Sequence, residues 1–155
     1  MRKIKIFAVS ILIALGVGAL SALATKGNMD IYSSINVPPL APPAILFPIV
    51  WTILYILMGV SAAMIYLSIA PTGQKTKALF TYAVSLFVNF FWSIFFFNMQ
   101  AFALSFIWLI LLWSLIALTI LDYLKINKWA AYLQIPYLLW VTFAGYLNYV
   151  VWQLN

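Results

Sequence analysis

The side chains that equip this chain to hold a ligand are aromatic rings and amides set at helical spacing. Pro136, Trp140, Ala144, Asn148 and Trp152 fall four residues apart, a step that keeps side chains on one side of a helix. Trp140 presents a flat indole, Ala144 leaves a gap one turn on, and Asn148 adds a donor and an acceptor. A planar apolar molecule can lie against such a strip. Tyr82, Ser85, Asn89, Trp92 and Phe96 form a second stripe, and Trp51, Tyr55, Met58, Ala62 and Tyr66 a third. Each stripe taken singly also suits plain interhelical packing with a satisfied amide, and Trp or Tyr near a span end also serves as an interfacial anchor. Three such stripes beneath one stiff loop point to a pocket.

Other chemistry is excluded by residue type. The chain has no His and no Cys, so disulfides, thiolate chemistry, the usual zinc sites and the usual axial ligands of haem are absent, and no metal site or cofactor is expected. Asp30 and Asp122 are the only acidic residues. Asp122 stands three residues before Lys125, which makes that pair the expected surface contact. No carboxylate falls in the middle of an apolar run, which disfavours proton- or sodium-coupled transport. No nucleophile–base pair of the usual kind is present.

These residues must be positioned by membrane helices. The 155 residues are 67% apolar and 6% charged, where a soluble domain carries about 25% charged residues. Long apolar runs predict five spans, at about 4–25, 45–69, 79–97, 102–123 and 129–152, joined into a single membrane domain over 1–155. Helices are the default in lipid, and Phe106 to Ile120 lacks the alternation of an outer-membrane barrel strand. The fold expected is an all-α integral membrane bundle. Arg2, Lys3, Lys5, Lys75, Lys77, Lys125 and Lys128 all fall on one side of it and Lys26 alone on the other, which predicts the N-terminus inside. The net charge of +6 is thereby read as topology, and no nucleic-acid partner is expected. A cleavable signal peptide ending near Ala22-Leu23-Ala24 is the competing reading of the first run. Ala14, Gly18 and Ala22, and Gly59 and Ala63, recur every four residues and allow close helix approach within the bundle or in a dimer. No internal repeat points to an inverted-repeat transporter.

The segment 26–44 is the only long loop. Pro38-Pro39-Leu40-Ala41-Pro42-Pro43 fixes φ repeatedly and holds the chain extended. A stiff, mostly apolar loop at a membrane surface is expected to fold over the bundle as a lid. Alternatively, its prolines only begin the second helix, with Pro43 or Pro48 in the first turn.

The motifs are now specific. The proline segment leads to Phe47-Pro48-Ile49-Val50-Trp51 and Leu54-Tyr55-Ile56-Leu57-Met58-Gly59, Asn89-Phe90-Phe91-Trp92 follows in span three, and Pro136-Tyr137-Leu138-Leu139-Trp140 to Leu147-Asn148 closes span five. Over nearly its whole length the chain resembles the TspO/MBR family, the tryptophan-rich sensory proteins and the translocator protein (peripheral benzodiazepine receptor). The resemblance implies a five-helix fold, often a homodimer, with a pocket under the first loop for porphyrins and benzodiazepine-like ligands. It implies Tyr32, Pro42, Trp51, Asn89, Trp92, Trp140 and Ala144 as ligand-binding residues, beside Asn148 from the stripe in span five. It also implies a second activity, light-dependent porphyrin breakdown, in which Trp51 and Trp140 would be redox partners. The family loop usually carries Trp where this chain has Leu40, several members carry an acid where Phe106, Ile107 and Trp108 stand, and Tyr149 to Asn155 offers no Lys or Arg for a sterol pattern. The function expected is a receptor or carrier for porphyrins in a prokaryotic plasma membrane. Its alternatives are the photo-oxidative enzyme and a sensory partner whose contacts respond to ligand.

Overall fold

A computed structural model of the chain describes residues 1–28, 35 and 41–155. The described residues form five helices and no strand: α1 Arg2–Ala24, α2 Leu46–Tyr66, α3 Thr72–Ser93, α4 Phe102–Leu124 and α5 Lys128–Leu154. A π-helical turn, Ile94–Asn98, prolongs α3. Tyr32 and the Pro38-Pro39-Leu40 part of the expected lid lie outside the described residues.

Four helices are long and apolar enough to cross a bilayer: α1, α2, α3 with its extension to Asn98, and α4. The fifth expected span coincides with α5, which is not among the four. At 27 residues it is the longest helix, about 40 Å at about 1.5 Å per residue. Polar residues lower its hydropathy, and two of them, Gln134 and Asn148, are each only 1% exposed. The helix therefore turns its amides into the bundle.

Helix ends follow local chemistry. α3 starts at Thr72 rather than at the expected Leu79 because two polar turns continue the helix below its apolar part, with Pro71 at the cap position. α2 stops at Tyr66, where Lys75 Nζ donates to the carbonyls of Tyr66 (2.8 Å) and Ser68 (3.0 Å), a basic side chain on orphan helix carbonyls. Asn127 opens α5 by accepting from the amides of Trp129 (3.0 Å) and Ala130 (3.4 Å). Pro48 is the third residue of α2, where its missing N–H costs nothing.

Short connections reverse the chain after α2, α3 and α4. Seven of the eight Lys and Arg residues therefore gather at one end of the bundle, the basic end. The exit of α1 and the entry of α2 lie at the other, the loop end. Packing of α1 on α2 depends on two glycines. A Cβ at Gly59 would run into the backbone of Ile11, and one at Gly18 into the ring of Tyr55. Ser10 Oγ donates to the Gly59 carbonyl at 2.6 Å, sealing that approach. Gly18 and Gly59, read from the sequence as faces for a neighbour, thus meet neighbours within the chain.

One expected contact is replaced. Asp122 pairs with Lys77 of α3 at 3.6 Å, not with Lys125. The Asp122 side chain is only 12% exposed and faces the neighbouring helix, and Lys125 is already the C-cap of α4.

Candidate ligand cavity

At the loop end a cavity of about 640 Å³ opens between α1, α2, α3 and α5, within the size range of small-molecule sites. Its wall is almost wholly apolar. α2 supplies Phe47, Pro48, Trp51, Thr52 and Tyr55; α3 and its π turn supply Asn89, Trp92, Phe96 and Phe97; α5 supplies Trp140, Ala144 and Asn148. The indoles of Trp51, Trp92 and Trp140 thus reach one space from three helices. The rings brace one another. Trp92 stacks on Phe96 (5.2 Å between centroids, 25°), Phe47 meets Trp140 edge-on at 5.8 Å, and Trp51 packs against Tyr55 at 5.7 Å and edge-on to Tyr137 at 6.1 Å. Edge-on and offset arrangements are the favoured geometries of aromatic quadrupoles.

Polar atoms in the wall divide into those already bonded and those open. Trp92 Nε1 donates to Asn148 Oδ1 at 3.0 Å, and Asn148 Nδ2 donates to the Phe102 carbonyl at 2.9 Å. Asn148 thereby links α3, α4 and α5. Asn89 Nδ2 donates to the Tyr55 hydroxyl at 3.1 Å, which holds Tyr55 over Gly18 as the cavity floor. Two further indoles outside the cavity serve as interhelical donors: Trp108 Nε1 to the Val88 carbonyl (2.7 Å) and Trp113 Nε1 to Thr142 Oγ1 (2.8 Å). Trp140 differs: its Nε1 is buried and has no acceptor among the described residues. The cavity therefore presents flat, mostly apolar walls, the open N–H of Trp140 and the open hydroxyl of Ser21. Among the described residues there is no cluster of His, Cys, Asp or Glu fit to hold a metal ion.

Six of the eight expected binding residues line this space: Trp51, Asn89, Trp92, Trp140, Ala144 and Asn148. Pro42 is half-buried but not part of the described lining, and Tyr32 lies outside the described residues. Not every member of a stripe turns inward. Trp152 is 41% and Tyr66 50% exposed, and Pro136 is exposed while Tyr137 is buried. Steps of four advance about 40° beyond a full turn each, about 160° across the whole stripe of span five, so its two ends leave the buried face.

A profile described as the TspO/MBR family matches residues 9–153. The chain belongs to the TspO/MBR family. It is 37% identical over 155 residues to a protein of Chlorobaculum tepidum named tryptophan-rich protein TspO, covering 99% of this chain and 98% of that one. It is 34% identical over 153 residues to Protein CrtK of Rhodobacter capsulatus, covering 99% and 94%. It is 33% identical over 140 residues to the translocator protein of Bos taurus, covering 89% and 83%. This TspO/MBR chain is accordingly a multi-pass membrane protein.

The cavity of this TspO/MBR protein has one wall that sequence reasoning missed. α1 contributes Leu15, Gly18, Ala19, Ser21, Ala22 and Thr25. The signal was present in the small residue Ala22, but a small-residue stripe reads equally as a packing face. Only the tertiary structure shows that it leaves space rather than closing it. Removing α1 as a signal peptide would strip that wall away.

Proposed function

We propose that this protein is a membrane receptor or carrier that takes a flat tetrapyrrole of the protoporphyrin type, and benzodiazepine-like ligands of similar shape, into the loop-end cavity. The observation that carries the proposal is the convergence of Trp51, Trp92 and Trp140 on one space of about 640 Å³. Each indole laid on the macrocycle would contribute about 0.5–1.5 kcal/mol beyond area burial. The open Trp140 Nε1 offers a donor to a ligand acceptor. Thr25 and Thr52 line the wall, and Lys26, the one cation at the loop end, follows Thr25 directly, a fit to a ligand with carboxylates at one edge. With no His or Cys to ligate iron, metal-free protoporphyrin is expected to bind at least as tightly as haem.

Titration of tryptophan fluorescence with protoporphyrin, with haem run in parallel, tests the reading. Saturable quenching that weakens in Trp51→Phe is the expected result. Unsaturable quenching, or clearly tighter haem binding, counts against it. A homodimer belongs to the same reading. Since Gly18 and Gly59 are occupied within the chain, its contact would use outward residues of α1 such as Leu12, Leu20 and Leu23, which are 59–67% exposed. Cross-linking in native membranes that yields only monomer would remove the dimer.

A further inference from the structure

Toward the basic end, α1, α2 and α3 enclose a groove of about 470 Å³ that shares no lining residue with the loop-end cavity. Gly59 and the bond it accepts from Ser10 seat α1 on α2. Ala62 and Ala63, the next turn of α2, form the bottom of that seam and are 5% and 1% exposed. Tyr82 and Leu86 wall it from α3 and are buried. Val9 and Ile13 rim it from α1 and are 56% and 57% exposed. The groove therefore opens on the outer surface of the bundle, where the solvent is lipid.

Its length and charge are both informative. From Lys5 to Ile13 the α1 side runs about 12 Å, at about 1.5 Å per residue. The hydrocarbon core of a bilayer is about 30 Å thick, so the groove belongs to one leaflet, the one at the basic end. Cations stand at its outer end. Lys5 is part of the lining, and Lys75 Nζ lies 5.7 Å from the centre of the Tyr66 ring, which also lines it. Lys75 donates to two carbonyls at the end of α2; an ammonium has three donors, so one remains for an outside acceptor. Among the described residues the one ion pair joins Lys77 to Asp122, which leaves Lys5 and Lys75 without a protein counter-charge. Tyr82 adds a buried hydroxyl with no hydrogen-bond partner among the described residues, and such groups call for one. Side chains lean toward the N-terminus of their helix, which in α3 is the basic end.

We propose that this groove binds one anionic phospholipid from the leaflet at the basic end. An acyl chain lies along Val9, Ile13 and Leu86 over the alanine floor, the phosphate sits between Lys5 and Lys75, and Tyr82 Oη offers a donor to an ester carbonyl. Basic pockets between membrane helices suit anionic headgroups in this way. A second copy of the chain is the poorer occupant: a symmetric contact through the groove would bring two sets of the same lysines to one level of the membrane, like charge on like. A lipid held here ties the start of α1 to α2 and α3.

Native mass spectrometry of the full chain in detergent tests the site, with titration by phosphatidylglycerol or by phosphatidylcholine of the same acyl chains. One phosphatidylglycerol is expected to be held about three- to tenfold more tightly than phosphatidylcholine. Lys5→Gln, at an exposed position, should remove most of that preference. Lys128→Gln loses the same charge at the same end but outside the groove, and should keep the preference within about twofold. Ala83→Phe fills the groove from an exposed position of α3 and should weaken both lipids. Equal retention of the two lipids overturns the proposal. Equal losses in Lys5→Gln and Lys128→Gln also overturn it, because the attraction is then the diffuse charge of the basic end. Ala83→Phe that turns a cross-linked dimer into monomer, with lipid retention unchanged, gives the groove to a second copy and overturns it as well.

Discussion

The two halves of the bundle use small residues to opposite ends. In the basic half Gly59 lets α1 settle onto α2, and Ala62, Ala63, Ala78, Ala130 and Ala131 are all at most 5% exposed. The small side chains there draw helices together. In the loop half Ala19, Ala22 and Ala144 line open space. The difference lies in their neighbours. Trp51, Trp92 and Phe96 hold the loop-end helices apart on braced rings, so a missing side chain becomes volume instead of contact. Small residues at helical spacing are thus ambiguous until the bulk opposite them is known.

Substitutions can break or sharpen this contrast. The largest effect is expected from Gly59→Val, which forces bulk into the backbone of Ile11. Overpacking of this kind costs about 3 kcal/mol or more where backbone must move, and the variant should fail to give a cooperative melt in detergent. Asn148→Leu attacks the loop half at its tie. It strands the Trp92 N–H and cuts the tie to the Phe102 carbonyl, and should cost about 2 kcal/mol, read as a lowered melting temperature with a shifted tryptophan emission. Trp140→Phe should leave stability within about 0.5 kcal/mol, since its N–H has no partner to lose. It should weaken protoporphyrin about three- to tenfold by removing ring area and the open donor. Weakening of the melt comparable to Asn148→Leu would show Trp140 to be a brace and not a ligand surface. Lys77→Ala should change stability least, by about 0.5 kcal/mol or less, because its pair with Asp122 is largely exposed on the lysine side; a urea or thermal midpoint checks it.

Much of the fold was legible because lipid makes hydropathy an almost direct reading of helix position. Helix ends were less so. The polar turns from Thr72 are helical yet invisible to an apolar count, and α5 carries buried Gln134 and Asn148 that dilute its signal while serving the interior. The cavity was legible through Trp51, Asn89, Trp92 and Trp140, whose spacing and motifs mark them. The division of labour among indoles was not. Trp92, Trp108 and Trp113 serve as interhelical donors and Trp140 does not, and only the position of acceptors on other helices separates them. The partner of Asp122 was missed for the same reason: a local i,i+3 rule competes with a neighbouring helix that sequence does not place. The wall from α1 stayed hidden because a stripe of small residues does not announce what lies opposite.

At the loop end, Asn98 Nδ2 donates to the Ala24 carbonyl and Asn28 Nδ2 donates to Asn98 Oδ1, both at 2.8 Å. This clasp fastens the exit of α1 to the π turn after α3 before the long connection to α2 has begun. The bundle geometry around the cavity is therefore set upstream of that connection. A substitution at Asn98 therefore loosens two helix ends at once, the exit of α1 and the end of the turn after α3.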